Sequence, residues 1–175
     1  MVSIMKWKNS ALIVIDVQTG LFQRKTPIFK ERELLKNINS LENYARSINI
    51  PVIYIQHRNE STLVEGSNEW QLHHRLQKEE NDLIIHKRHP NTFKDTNFKK
   101  ELEARRIEQL VIVGTLTDNC VSATCLSGKK LGYEVILVTD AHSTFSDPAP
   151  EIIEGWHRKL KEQGILLKTA TELIQ

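Results

Sequence analysis

Four stretches of this chain are apolar without alternation, and that pattern admits few folds. Residues 11–16 read ALIVID, 52–56 VIYIQ, 110–113 LVIV and 134–139 EVILVT. A strand with one wet face alternates apolar and polar residues. A strand apolar at every position is buried on both faces, as in a parallel sheet covered by helices on two sides. Shorter runs at 82–86 (DLIIH) and 165–168 (ILLK) extend the set. Helical spacing lies between them: 31–48, with Leu34, Leu35, Ile38, Leu41, Tyr44, Ala45 and Ile48 on one face; 95–105, with Phe98 and Leu102; a segment after Cys120 to about Leu131, closed by Gly132; and 148–163. Residues 171–175 read as a tail. Strands alternating with helices predict an α/β domain with a mostly parallel sheet and right-handed crossovers. No repeat, low-complexity tract or linker divides residues 1–175, so one domain is expected.

Charge and cysteine content narrow the function. Lys and Arg number 24 against 22 Asp and Glu, interspersed along the chain, for a net charge of +2. The pairs Lys99-Lys100, Arg105-Arg106 and Lys129-Lys130 sit on or beside predicted helices and read as solvated faces, so no nucleic-acid partner is expected. No apolar run approaches the ~20 residues needed to span a bilayer, so no membrane partner is expected either. The first ten residues, MVSIMKWKNS, lack an apolar h-region and a small-residue cleavage site, and a cytoplasmic location is expected. Cys120 and Cys125, five residues apart on one helix, would have Cα atoms roughly 8–9 Å apart. That is too far for a disulfide.

Parallel sheets collect their functional groups at the carboxyl ends of the strands. Asp16, Lys87, Cys120 and Asp140 each fall at or just past such an end. Alone, Cys120 reads as an inert buried thiol, and Asp16 with Lys87 as a structural ion pair. Together they suit acyl transfer. Cys120, after the turn Gly114-Thr115-Leu116-Thr117-Asp118-Asn119, is the candidate nucleophile, its thiolate favoured by a helix N-terminus and a neighbouring cation. Lys87 is the candidate cation. Asp16 is the candidate proton acceptor and donor. Backbone N–H groups of the turn are candidate oxyanion donors. The long polar segment 57–81 is a candidate active-site loop. Phe22, His57, Trp70, His89, Phe93 and Thr117 lie on strand-end loops and are the candidate substrate-binding residues. Core packing competes for Phe22 and Phe93, and an exposed loop position competes for His57 and His89.

These motifs resemble the isochorismatase-like cysteine hydrolases, a superfamily that includes nicotinamidases and N-carbamoylsarcosine amidase. The resemblance is carried by Asp16-Val17-Gln18 after the first strand and by Lys87 followed by Phe93 in IIHKRHPNTF. It continues through the turn from Gly114 to Val121, then Leu131-Gly132-Tyr133-Glu134-Val135 and Thr139-Asp140-Ala141. It implies a three-layer α/β/α sandwich around a six-stranded sheet and an Asp16–Lys87–Cys120 triad forming a thioester acyl-enzyme. It also implies a cis Thr115–Leu116 peptide, with the N–H groups of Leu116 and Cys120 as the oxyanion hole, and a homodimer or higher homo-oligomer. Nicotinamidases hold a metal through an Asp and several His after the second strand. Here that strand ends Gln56-His57-Arg58, and His73, His74, His86, His89, His142 and His157 do not rebuild the set. No metal and no cofactor are expected, and nicotinamide is not the expected substrate.

The expectation is therefore a hydrolase cleaving the C–N bond of a small amide or ureide. Two readings stay open on the same fold: isochorismatase-type hydrolysis of an ether or ester, and a non-catalytic small-molecule-binding or partner module. A phosphate or dinucleotide binder would need G-x-G-x-x-G or G-x-x-x-x-G-K-[ST], and neither occurs. A redox thiol pair is disfavoured by the separation of Cys120 from Cys125.

Overall fold

The computed structural model describes residues 7–175. Six strands form one sheet: β1 (Ser10–Ile15), β2 (Val52–His57), β3 (Leu83–Lys87), β4 (Gln109–Thr115), β5 (Glu134–Ser143) and β6 (Leu166–Lys168). Their order is β3-β2-β1-β4-β5-β6, and every pairing is parallel. Helices α1 (Thr19–Phe22), α2 (Glu31–Ser47), α3 (Phe98–Ala104), α4 (Ser122–Lys130), α5 (Ala149–Glu162) and α6 (Ala170–Leu173) complete the layers.

The unbroken apolar runs are explained by two separate cores. Leu12 and Val14 of β1, with Val52, Tyr54, Val111 and Val113, face Leu34, Leu35, Ile38, Leu41 and Ala45 of α2. Ala11, Ile13 and Ile15 point the other way, with Ile53, Ile55, Leu110 and Ile112, onto Phe98, Leu102, Val121, Cys125 and Leu160. Each such Leu, Ile or Val contributes roughly 1.5–3 kcal/mol when fully buried. The chain reverses its direction of winding between β1 and β4, and at such a point the loops leave a crevice.

Gly114 sets the distance between these two strands. Its φ is +121°, and a Cβ built there would fall 2.1 Å from the Ile15 carbonyl oxygen. Only glycine fits the approach and the left-handed backbone together. The adjacent Thr115 Oγ1 donates to the Asp16 carbonyl at 2.7 Å, tying the ends of β1 and β4 directly.

Two expectations need correction. Asp140 does not end β5, which runs on to Ser143 after a register shift: Ile112 pairs with Leu137, but Gly114 pairs with His142. Asp140 sits at this irregularity, where its Oδ1 accepts from the Ala170 N–H at 2.8 Å and its carbonyl accepts from Asn37 Nδ2 at 2.7 Å. Its role is structural. Residues 171–175 are not all tail, because Thr169 and Glu172 form a reciprocal capping box that starts α6.

The segment between β2 and β3 has no regular element but is firmly held. Arg46 of α2 grips both carboxylate oxygens of Asp82, at 3.0 and 2.7 Å. Buried Glu42 accepts from Tyr54 Oη at 2.5 Å and from the Gln77 N–H at 3.1 Å.

Gly114→Ala is expected to lower the free energy of unfolding in urea by more than about 1 kcal/mol, since alanine is incompatible with both the φ and the space. Gly155→Ala, in α5 with open space around the position, should raise it by about 0.5–1 kcal/mol.

Candidate active site

The site is built from the carboxyl ends of β1, β2, β3 and β4. Asp16 follows β1 with φ +48°, a left-handed conformation that Asp tolerates better than most residues. Its N–H donates to Ile55 O, and its carbonyl accepts from Thr115. Lys87 ends β3, in register with His57 of β2. Cys120 lies in a π-type turn, Thr117–Val121, between β4 and α4. The Thr115–Leu116 peptide that opens this turn is cis.

Lys87 is almost fully buried, at 1% exposure. Its three ammonium protons meet three acceptors: Asp16 Oδ2 at 2.9 Å, His57 Nδ1 at 3.0 Å and Cys120 Sγ at 3.3 Å. An ammonium can only donate, so His57 Nδ1 must accept, and the neutral ring carries its proton on Nε2. Burial, followed by the Lys87 charge, lowers the His57 pKa and keeps the ring neutral. Burial opposes the charge on Lys87, but Asp16 and then Cys120 outweigh it and its pKa is raised. Asp16, His57 and Cys120 also form a donor triangle of metal-binding size. The Lys87 nitrogen, within bonding distance of all three, already supplies a cation there.

The thiol departs from expectation. Burial first, and the Asp16 carboxylate second, push the Cys120 pKa well above the ordinary thiol range, against the pull of Lys87. Cys120 precedes α4 inside the π-type turn and is not in that helix's own first turn. A resting thiolate is therefore not favoured. Asp16 Oδ1 is buried and has no hydrogen-bond partner among the described residues.

Above the thiol lies a cavity of about 180 Å³. Asp16, His57, Leu116, Asn119 and Cys120 form its floor side, and Leu21, Arg24, Asn59, Thr62, Leu63 and Phe145 complete the lining. Of the expected binding residues, His57 is present. The other five are absent from the lining, and each has a physical reason. Phe22 packs against His73, with ring centroids 4.8 Å apart. Phe93 is packed against Phe98 and Tyr133 in the core on the α3 and α4 side. His89 turns outward to Asp95. Trp70 works through its carbonyl, which accepts from Gln18 Nε2 and Gln56 Nε2 at 2.8 and 2.9 Å, while its ring lies beside His86. Thr117 is buried and bonds His142.

Several contributors were not among the candidate site residues, although Gln18 and Asp118 lie within the quoted motifs. Gln18 donates to His57 O and accepts from His57 N, both within 2.9 Å, and so fixes the backbone that presents the imidazole. Asn59 Oδ1 accepts from the N–H groups of Ser61, Thr62 and Leu63, shaping the cavity-lining part of the loop. Asp118 accepts from Thr144 Oγ1 and Ser146 Oγ, both at 2.8 Å, and so holds Phe145 between two anchors. The polar run 57–62 and the Asp118-Asn119 pair were the available signals.

Behind the turn, Thr117 Oγ1 meets His142 Nδ1 at 2.7 Å, and His142 Nε2 meets His157 Nε2 at 2.8 Å. Burial depresses both imidazoles; His157 lowers His142 further, to about 3, while Glu154 pulls His157 partly back up. An unfolded His titrates near 6.5. Above that pH neither state takes the proton. As pH falls from about 6.5 toward 3, the unfolded chain binds a proton the folded one refuses, and stability drops by about 1.4 kcal/mol per unit for this group. His73, held to about 4 by burial, adds the same sign. Urea unfolding between pH 7.5 and 5 should show that decline, and His142→Gln should flatten it.

The comparisons agree with this geometry. A family model described as "Isochorismatase domain" matches residues 10–152. The secreted isochorismatase effector Isc1 of Verticillium dahliae is 29% identical over 137 residues, covering 77% of this chain and 72% of that protein. Streptothricin hydrolase of Streptomyces noursei is 29% identical over 145 residues, covering 81% of this chain; the chain spans about half of that relative, 52%. A solved structure titled as an isochorismatase from Pseudomonas putida KT2440 superposes with a TM-score of 0.90 at 26% identity, covering 97% of this chain and 92% of that one. No helix among the described residues is long and apolar enough to cross a membrane. With its six-stranded parallel sheet and its thiol at the β4 turn, the chain belongs to the isochorismatase-like family of hydrolases.

Proposed function

We propose that this hydrolase cleaves the C–N bond of a small amide or ureide through a thioester on Cys120, with Asp16 and Lys87 as its partners. The observation that carries the reading is the buried Lys87 ammonium bridging Asp16 Oδ2 and Cys120 Sγ while Asp16 Oδ1 stays unpartnered. Asp16 Oδ1 takes the thiol proton as Sγ attacks the carbonyl carbon. Lys87 compensates the negative charge as it passes from carboxylate to sulfur, so the pair never holds an uncompensated anion. The N–H groups of Leu116 and Cys120 are the proposed donors to the tetrahedral oxyanion. Protonated Asp16 then gives its proton to the departing nitrogen, the C–N bond breaks, and the thioester remains. Asp16 next deprotonates a water that adds to the thioester. Collapse releases the carboxylic product, and the proton returns to sulfur.

A sulfur nucleophile is what separates this reading from ether hydrolysis, which needs no covalent intermediate. A pure binding module would gain nothing from a buried ion pair that costs several kcal/mol per ion to desolvate.

A panel of small amides and ureides screened for ammonia release should yield substrates. Cys120→Ala should abolish turnover and the acyl adduct seen by mass spectrometry in quenched samples. Asp16→Asn should lower kcat by about 10²–10⁴-fold. Turnover that survives Cys120→Ala would overturn the mechanism. For stability, Lys87→Met alone should cost about 3–5 kcal/mol by leaving Asp16 buried and unpaired. Adding Asp16→Asn should recover part of that loss in urea unfolding.

A further inference from the structure

The cavity over Cys120 carries one charge that nothing compensates. Asp16 is neutralised by Lys87, and His57 is held neutral, while Asn59, Thr62 and Asn119 are uncharged. The remaining charged lining group is Arg24. Two other arginines at this rim are paired, Arg58 with Glu65 and Arg88 with Glu60. Arg24 has no salt bridge among the described residues; Glu69 lines the same outer groove without pairing to it.

Arg24 is also placed. Its guanidinium carbon sits 4.8 Å from the centroid of the Phe145 ring, which itself lines the cavity. Stacking on an aromatic face leaves the N–H edge of the guanidinium free to meet a planar partner through two parallel hydrogen bonds. The platform is tied to the nucleophile turn, because Asp118 holds the hydroxyls on either side of Phe145. The ring beneath the exposed Arg24 guanidinium and the turn carrying the thiol are thus linked around a cavity of about 180 Å³.

We infer that Arg24, stacked on Phe145, is the specificity-determining residue of this site, and that the substrate is a small amide or ureide bearing a carboxylate away from the scissile bond. The inference rests on the hydrolase reading above. The carboxylate docks against Arg24 and the carbonyl to be attacked lies over Cys120. Arg24 takes no part in bond making, so its loss is felt in the preference for anionic over neutral molecules.

The test uses alkylation of Cys120, which needs no knowledge of the substrate. N-Iodoacetylglycine and N-ethyliodoacetamide carry the same electrophilic carbon, the first with a carboxylate and the second without. In each case sulfur displaces iodide, forming a C–S bond, and the thiol proton leaves to Asp16 or solvent. Cys125 is fully buried, and Cys120→Ala supplies the background. The rate ratio of the anionic to the neutral reagent should be at least fivefold higher in the wild type than in Arg24→Gln. Arg24→Lys should retain part of the preference, Phe145→Leu should reduce it, and added salt should shrink it in the wild type alone. A ratio unchanged by Arg24→Gln would overturn the assignment. That result with amide turnover intact sinks the carboxylate inference alone. A charge preference lost with Arg24→Gln, with no amide or ureide ever turned over, sinks the hydrolytic reading alone. No labelling of Cys120 by either reagent overturns both. Among substrates found by the amide panel, a carboxylate-bearing member should exceed its neutral analogue in kcat/KM by tenfold or more, and Arg24→Gln should remove that difference mainly through KM.

Discussion

A buried ammonium is the constraint on which the rest of this molecule depends. Lys87 is an edge-strand residue whose side chain is withdrawn from water. Left alone there, the charge would cost more than one or two ordinary interactions could return. It is tolerated because three acceptors from three other segments converge on it: Asp16 after β1, His57 at the end of β2 and Cys120 after β4. None of the three acceptors is within 29 residues of Lys87 in the sequence. Only a sheet with β3, β2, β1 and β4 side by side brings their carboxyl ends to one nitrogen. The topology and the site are therefore one requirement, and the buried charge ties the end of an edge strand to the centre of the sheet.

The same arrangement decides how the thiol works. A helix N-terminus and a nearby cation lower a cysteine pKa, and sequence pattern alone favours that expectation. Burial and a carboxylate reverse it here. Both effects favour the proton on sulfur. Lys87 bonds both the carboxylate, through Oδ2, and the sulfur, so one ammonium faces either place a negative charge could sit. A thiol that stays protonated between turnovers is also a poorer target for oxidation, which follows thiolate character. His57 gives Lys87 its third acceptor without adding charge, and Gln18 holds the His57 backbone so that Nδ1 stays aimed at the ammonium.

What was legible in the sequence follows from where each signal resides. Unbroken apolar runs announce strands buried on both faces, and Leu34, Leu35, Ile38 and Leu41 announce α2, because burial is dictated by the residue's own chemistry. Asp16, Lys87 and Cys120 were visible because a polar residue ending such a run has one place to go. The lining of the cavity was not visible. Leu21 of α1 and Arg24, Thr62 and Phe145 of loops come from the segments after β1, β2 and β5, and no local spacing records that these segments meet. Phe22 and Phe93 look like pocket aromatics on a loop, yet each finds a larger apolar partner surface inward. The continuation of β5 past Asp140 was hidden because Thr139 and Asp140 break the apolar run at the register shift. The capping box at Thr169 and Glu172 was readable, and the short segment it starts was the part too brief for periodicity to show.

Chemistry and selectivity are held by different kinds of structure in this chain. The ammonium and the carboxylate are held at strand ends, where register fixes them: Lys87 is paired opposite His57, and Gly114 lets β4 approach β1 closely enough for Thr115 to bond the Asp16 carbonyl. The cavity wall hangs from loops, where each contact is separately replaceable. Exchanging Phe145 or Arg24 would change which molecule fits without disturbing the ammonium and its three acceptors. Asp118 joins the two, since it lies in the turn that carries Cys120 and holds both hydroxyls flanking Phe145. Through it, the Phe145 wall of the cavity is tied by two hydrogen bonds to the turn that carries the sulfur, so the position of that wall and the position of Cys120 are set together.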